Sequence, residues 1–200
     1  VPMLVKASDI PAASNVLDLP DGPELTLPID LDEYMKTQRH VGLVVLHNGA
    51  VRLERYGLDF EADDRWTSFS VAKSLTSTLV GIAIQEGHIE SLDDPVSKYI
   101  PGLVNSSYDD VTVEQLLTMS SGVAWDETYT DPNSDVAKFN THVAEDGGSN
   151  LVSYMSQLPR AHAPGEVWNY STGETNLIGI LVREATGRTL ADYLSEKIWK

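Results

Sequence analysis

Phe69-Ser70-Val71-Ala72-Lys73-Ser74, continued by Leu75 to Gln85, is the stretch on which the reading of this chain turns. It sets a hydroxyl and an amine three residues apart, and residues so spaced share one face of a helix. The Lys73 amine can therefore reach toward Ser70 Oγ. A serine hydroxyl becomes a competent nucleophile when a neighbouring base takes its proton. From Val71 to Gln85 the only charged residue is Lys73, and Glu86 is the next. A helix that apolar is expected to be mostly buried, and burial favours the neutral, proton-accepting form of an amine. Ser134 and Lys138 make a control pair. They stand four apart amid Asp131, Asn133, Asp135 and Asn140, which reads as a solvated loop or helix start.

Composition narrows the field. Thirty acidic against fourteen basic side chains give a formal charge of −16 over 200 residues, which argues against nucleic acid or an anionic membrane as partner, since phosphates demand a positive footprint. The 42% hydrophobic and 22% charged content is that of a soluble globular domain. Zero cysteines exclude disulfides, thiolate catalysis and cysteine-bound zinc. The five histidines, at 40, 47, 88, 142 and 162, show no metal-ligand spacing, so no metal or cofactor is implied. No stretch approaches the roughly 18 apolar residues of a membrane span. Residues 1–40 lack a signal-peptide pattern, while a leader removed before Val1 leaves cytoplasmic and periplasmic or secreted locations both open. Oligomeric state is equally open.

Prolines at 2, 11, 20, 23 and 28 read as an extended lead-in over residues 1–30. Leu31 to Arg39 predicts a short amphipathic helix. Val41 to Leu46 and Ala50 to Tyr56, joined through Asn48-Gly49, predict a β-hairpin, with a first strand apolar enough to be covered on both faces. Thr112-x-x-Gln115 and Ser171-x-x-Glu174 are capping boxes. The first opens a helix stopping near Ser121-Gly122, the second a helix from about Gly173 to Thr186 with Gly187 as its stop. Asp126 to Asn150 reads as irregular, Leu151 to Leu158 as helical, and a last helix from about Thr189 runs on to the chain end. The pattern is α+β, divided as an N-terminal strand and nucleophile-helix segment (31–90), a mostly helical lobe (91–165) and a return segment (166–200). A two-stranded sheet is marginal alone, so completing strands are expected elsewhere.

These motifs, in this order, resemble the serine hydrolases of the penicillin-recognising fold, a group that includes class C β-lactamases, D-alanyl-D-alanine carboxypeptidases, esterases and 6-aminohexanoate-dimer hydrolases. The likeness runs from about Leu31 to Lys200. It rests on Phe69 to Ser74, Ser91-Leu-Asp-Asp-Pro95, Leu116-Leu-Thr-Met-Ser-Ser-Gly122, Pro164-Gly165 and Trp168-Asn-Tyr-Ser-Thr-Gly173. It implies a β-lactamase/transpeptidase-like fold, an antiparallel sheet plus a helical lobe, of which this chain is the N-terminal portion. It also implies Ser70 as the acylated nucleophile, with Lys73 and Tyr170 as its proton acceptors. The family's Tyr-x-Asn element stands here as Tyr170-Ser171-Thr172, without the asparagine. Tyr129 matches a loop tyrosine that touches bound amide in the nylon-oligomer enzymes, and Asn140 stands where those enzymes carry an acidic residue. The family's later strand motif, which helps complete the oxyanion hole, does not occur in these residues. The expected substrate is a small ester or amide.

A second reading is a penicillin-recognising binding or sensor module that is acylated without turnover. Tyr170 discriminates against it, because a sensor need not keep a deacylation base. The absence of a Gly-x-Ser-x-Gly elbow disfavours an α/β-hydrolase.

Overall fold

The computed structural model describes residues 18–199, so the earlier part of the extended lead-in lies outside the described residues. The chain divides at Phe69/Ser70 into two compact units.

The first unit holds α1 (Leu31–Gln38) and a hairpin of β1 (Gly42–His47) and β2 (Ala50–Tyr56). Asp30 caps α1 by accepting the Glu33 amide at 3.0 Å, and Arg39 ends it in the left-handed region at φ 56°. Asn48 and Gly49 turn the hairpin at φ 54° and 75°, the paired positive φ that the right-handed strand twist favours. Residues 20–25 lie along β2: Gly22 N–H donates to Val51 O at 2.8 Å, and Val51 N–H to Pro20 O at 3.0 Å. Residues 20–25 of the lead-in, with Pro20 and Pro23, are thus docked backbone, which proline tolerates at an edge. The expectation of a β1 covered on both faces is corrected: Val44 and Leu46 are half exposed. β1 has one strand neighbour among the described residues, and a bulge between Val45 and Leu46 interrupts the register.

The second unit is built on α2 (Ala72–Gln85), entered through a 3₁₀ turn at Phe69–Val71. Short helices α3 (Val113–Leu117), α4 (Asp135–Lys138) and α5 (Asn150–Ser156) follow, then α6 (Thr172–Thr186) and α7 (Leu190–Lys197). The core gathers Leu79, Val80 and Ala83 of α2 with Leu177, Leu181 and Val182 of α6. Burying each such side chain contributes roughly 1.5–3 kcal/mol before entropy is counted. Burial of α2 is narrower than its composition predicts, since Ser74, Ser77, Thr78 and Gly81 are exposed. Their polarity is met locally, with Thr76, Ser77 and Thr78 donating to carbonyls one turn back.

Other expectations are adjusted in the same way. Thr112 and Gln115 complete their capping box, but α3 stops at Leu117, where Met119 turns into the left-handed region at φ 53°. Ser134 is not solvated: it is fully buried, caps α4 through the Ala137 amide and donates to Asp131 O. The last helix closes at Lys197 with Ile198 as cap, short of the chain end.

Candidate active site

Ser70 stands at the entry to α2, directly after Phe69, whose φ of 44° lies in the left-handed region. Bulky residues adopt that geometry at a cost, and such strain concentrates where a side chain must be aimed. Ser70 is exposed and Lys73, one turn on, half-buried. Tyr170 arrives from the loop before α6, and its hydroxyl bonds Ser70 Oγ at 2.8 Å. Both groups are hydroxyls, so donor and acceptor exchange by rotation.

Lys73 does not bond Ser70. Its Nζ donates to Thr172 Oγ1 at 3.5 Å and lies 5.5 Å from the centre of the Tyr170 ring, within cation–π range. Ser70, Lys73 and Tyr170 are therefore gathered in one place, with Tyr170 against the serine and Lys73 beside the tyrosine and Thr172.

The Tyr170 loop is held on both sides of the tyrosine. Asn169 N–H donates to Met119 O at 2.9 Å, and its side-chain amide donates to Trp125 O at 3.0 Å. Ser171 N–H faces Met119 Sδ at 3.4 Å. The left-handed backbone of Met119 aims both acceptors at the loop. Gly173 lets α6 approach closely: a Cβ there would lie 2.6 Å from Met155 Cε and 2.8 Å from the Trp125 ring.

Two carboxyl groups shape the surroundings: Glu127, which sequence reasoning assigns no role, and Glu174, which it reads only as half of a capping box. Glu127 accepts four hydrogen bonds. On Oε2 it takes the Thr172 amide at 2.9 Å and the Trp125 indole N–H; on Oε1 it takes the Thr172 hydroxyl and the Tyr129 hydroxyl at 2.6 Å. Burial pushes its carboxyl up, but the donors of Thr172, Tyr129 and Trp125 outweigh that and hold it below the ordinary range. Its only local signal was its place two residues after a tryptophan.

Glu174 is the second. The predicted capping box is half formed: Ser171 Oγ accepts the Glu174 amide at 3.1 Å, but the carboxyl does not return the bond. It turns into the core, where Ser121 Oγ and Tyr108 OH at 3.3 Å both donate to Oε1. Oε2 is buried without a partner, and burial raises the carboxyl to about 7 despite the Ser121 and Tyr108 bonds. The donor it would have capped, Ser171 N–H, faces Met119 Sδ instead.

Tyr129 is exposed and is tied to the others by the bond its hydroxyl donates to Glu127. With its proton committed there, its oxygen offers lone pairs outward. Asn140 spends its amide on Val136 O at 2.8 Å. Among the described residues no group of three or more His, Asp or Glu side chains is arranged to hold a metal ion, and no helix is long and apolar enough to cross a membrane.

Comparison with known proteins gives this arrangement a family. Residues 30–200 match the Beta-lactamase family model, and the chain belongs to that family. It is 31% identical over 175 residues to the 6-aminohexanoate-dimer hydrolase of Paenarthrobacter ureafaciens, covering 85% of this chain and 44% of that protein. A solved structure of a Bacillus anthracis protein provisionally named 6-aminohexanoate-dimer hydrolase superposes with TM-score 0.71 at 24% identity, over 96% of this chain and 52% of that one. A D-stereospecific amidohydrolase from Streptomyces superposes with TM-score 0.60 at 28% identity, over 76% of this chain and 46% of that one. The fold is β-lactamase-like, and the chain spans about half the length of the relatives it matches.

Proposed function

We propose that the protein is a serine acyl hydrolase acting on a small ester or amide, with Ser70 as nucleophile, Tyr170 as its proton acceptor and Lys73 as the cation that supports Tyr170. The observation that carries this reading is the 2.8 Å bond between Ser70 Oγ and Tyr170 OH, with the Lys73 ammonium beside the tyrosine ring. A hydroxyl oxygen within hydrogen-bond reach of Ser70 Oγ is placed to take the serine proton as the nucleophile attacks, and the Lys73 ammonium beside it can offset negative charge that develops during that transfer. Ser70 Oγ then attacks the substrate carbonyl carbon, forming a C–O bond while the proton passes to the Tyr170 oxygen. The tetrahedral adduct collapses, the proton goes to the departing alcohol or amine, and an acyl-serine remains. Water activated by the same tyrosine releases the acid and restores Ser70. The balance closes without a metal or cofactor.

Tyr129 is the proposed substrate contact, offering an acceptor oxygen at the rim. Thr172 in place of an asparagine supports an ester or linear amide rather than a β-lactam as substrate, and Asn140 supports an uncharged rather than amino-terminal one.

Full chain incubated with p-nitrophenyl acetate or butyrate should give a burst followed by steady release of nitrophenol, both abolished in Ser70→Ala. Turnover that survives the substitution removes Ser70 as nucleophile. A burst of one equivalent with no steady phase would instead indicate the acylated sensor.

A further inference from the structure

Lys73 needs a partner that accepts, and the group facing it is a threonine hydroxyl, which can present either a proton or a lone pair. A proton turned toward an ammonium would repel it; a lone pair would hold it. Something must choose, and Thr172 sits one residue inside α6 with its Oγ1 between two charged groups. On one side is the Lys73 Nζ at 3.5 Å. On the other is Glu127 Oε1, to which the hydroxyl donates.

The Glu127 carboxylate is saturated. Each oxygen takes two donors: the Thr172 amide and the Trp125 indole on Oε2, the Thr172 and Tyr129 hydroxyls on Oε1. All four partners give protons, so the acceptor-only carboxylate is the form that satisfies them. The two contacts to Thr172, one backbone and one side chain, fix that residue's position and its rotamer together.

We propose that Glu127 is a positioning residue that commits the Thr172 proton away from Lys73, so that Thr172 Oγ1 acts as a fixed acceptor for the lysine ammonium. Glu127 and Thr172 together present a fixed lone pair where an unoriented hydroxyl would present either a lone pair or a proton. Lys73 in turn is held beside the Tyr170 ring, where its charge can offset negative charge that develops as the serine proton is transferred. Gln cannot substitute for Glu127. In either amide orientation two of the four donors face an NH₂ group, and in one of them the Thr172 hydroxyl is turned to point its proton at Lys73.

This inference rests on the acyl-hydrolase reading, and a double-mutant cycle separates the two. The burst rate with p-nitrophenyl acetate is measured on full chain as wild type, Glu127→Gln, Thr172→Val and the double variant, with Ser70→Ala as control. Glu127→Gln alone should slow the burst roughly tenfold to a hundredfold, the worth of a hydrogen bond to a charged group. In the Thr172→Val background, where no hydroxyl is left to orient, the same change should cost about twofold or less, the scatter of uncoupled sites. Equal losses in both backgrounds would overturn the proposal and leave Glu127 as a brace for Trp125 and Tyr129. Thr172→Val carries the test if Glu127→Gln folds poorly, since it keeps the backbone bond and removes only the hydroxyl; a wild-type burst rate in that variant also overturns it. A Ser70→Ala protein that still bursts would refute the acyl-hydrolase reading, whereas loss of coupling with Ser70→Ala dead refutes the Glu127 assignment alone.

Discussion

Glu174→Gln should make the protein more stable at pH 8 and leave it nearly unchanged at pH 5. Glu174 is 2% exposed, and its Oε2 has no partner. Taking the charge out of water is the dominant effect on it, and burial raises the carboxyl from 4.5 to about 7. A carboxyl raised on folding binds its proton more tightly in the native state than in the unfolded one. Between those two values the unfolded chain has released a proton that the native protein retains, so stability falls as pH rises through that window. The full penalty is present above about pH 7 and absent below about 4.5. At 1.36 kcal/mol per pH unit it amounts to roughly 3 kcal/mol, a large fraction of the 5–15 kcal/mol typical of a folded domain. Glutamine keeps an oxygen for Ser121 and Tyr108 and carries no charge at any pH, so position 174 then contributes no pH dependence in this range. Tyr108, pushed well above its ordinary value by burial, does not titrate here, and all other groups are common to both proteins. Urea unfolding at pH 5, 6.5 and 8 gives the difference directly. A gap between variant and wild type that stays constant with pH would refute the reasoning, because Glu174 would then hold one protonation state throughout.

Three further outcomes follow from the geometry. Tyr170→Phe removes the only group within hydrogen-bond distance of Ser70 Oγ among the described residues and should lower the burst rate by roughly 10²–10⁴, the range of general-base catalysis; an unaffected burst in stopped flow would exclude the tyrosine as acceptor. Lys73→Ala should act in the same direction, and added alkylamine should restore part of the rate if the lost element is a positive charge beside the ring. Gly122→Ala places a Cβ 2.8 Å from the His162 carbonyl carbon at a backbone φ of 73°, so a loss of roughly 1–3 kcal/mol is expected from strain; a melting temperature equal to wild type would show that the 119–125 segment yields at no cost.

How much of this was legible in the sequence depends on how far each feature reaches. Asn48-Gly49, the Thr112 cap, Gly187 and the Ser70/Lys73 spacing are decisions made within a turn or two of chain, and their residues announce them. The burial of α2 is narrower than its lack of charge suggests because an apolar helix with small and hydroxylated residues on one face is not apolar all round. Ser74, Ser77 and Thr78 satisfy themselves on the helix backbone or in solvent and need no cover. Glu127 was invisible for the opposite reason. It lies in a polar, irregular stretch where one acidic residue among several carries no periodic signal, and its meaning comes from Thr172, 45 positions away.

Glu174 shows how a correct local rule is overridden. Ser171-x-x-Glu174 has the sequence of a capping box, and the half that costs least to form, the Ser171 hydroxyl on the Glu174 amide, is present. The returning half competes with the core hydroxyls of Ser121 and Tyr108. The Ser171 amide that the returning half would satisfy has Met119 Sδ as a substitute acceptor, whereas leaving a buried donor unsatisfied costs roughly 1–3 kcal/mol. Two such donors outbid one cap, even against the desolvation that lifts the carboxyl toward neutrality. The same choice brings the start of α6 down onto the 119–125 segment, which holds Asn169 and Ser171 on either side of Tyr170. A carboxyl that looks like helix punctuation thereby helps set where the tyrosine stands, and the cost appears as the pH-dependent stability that Glu174→Gln should remove.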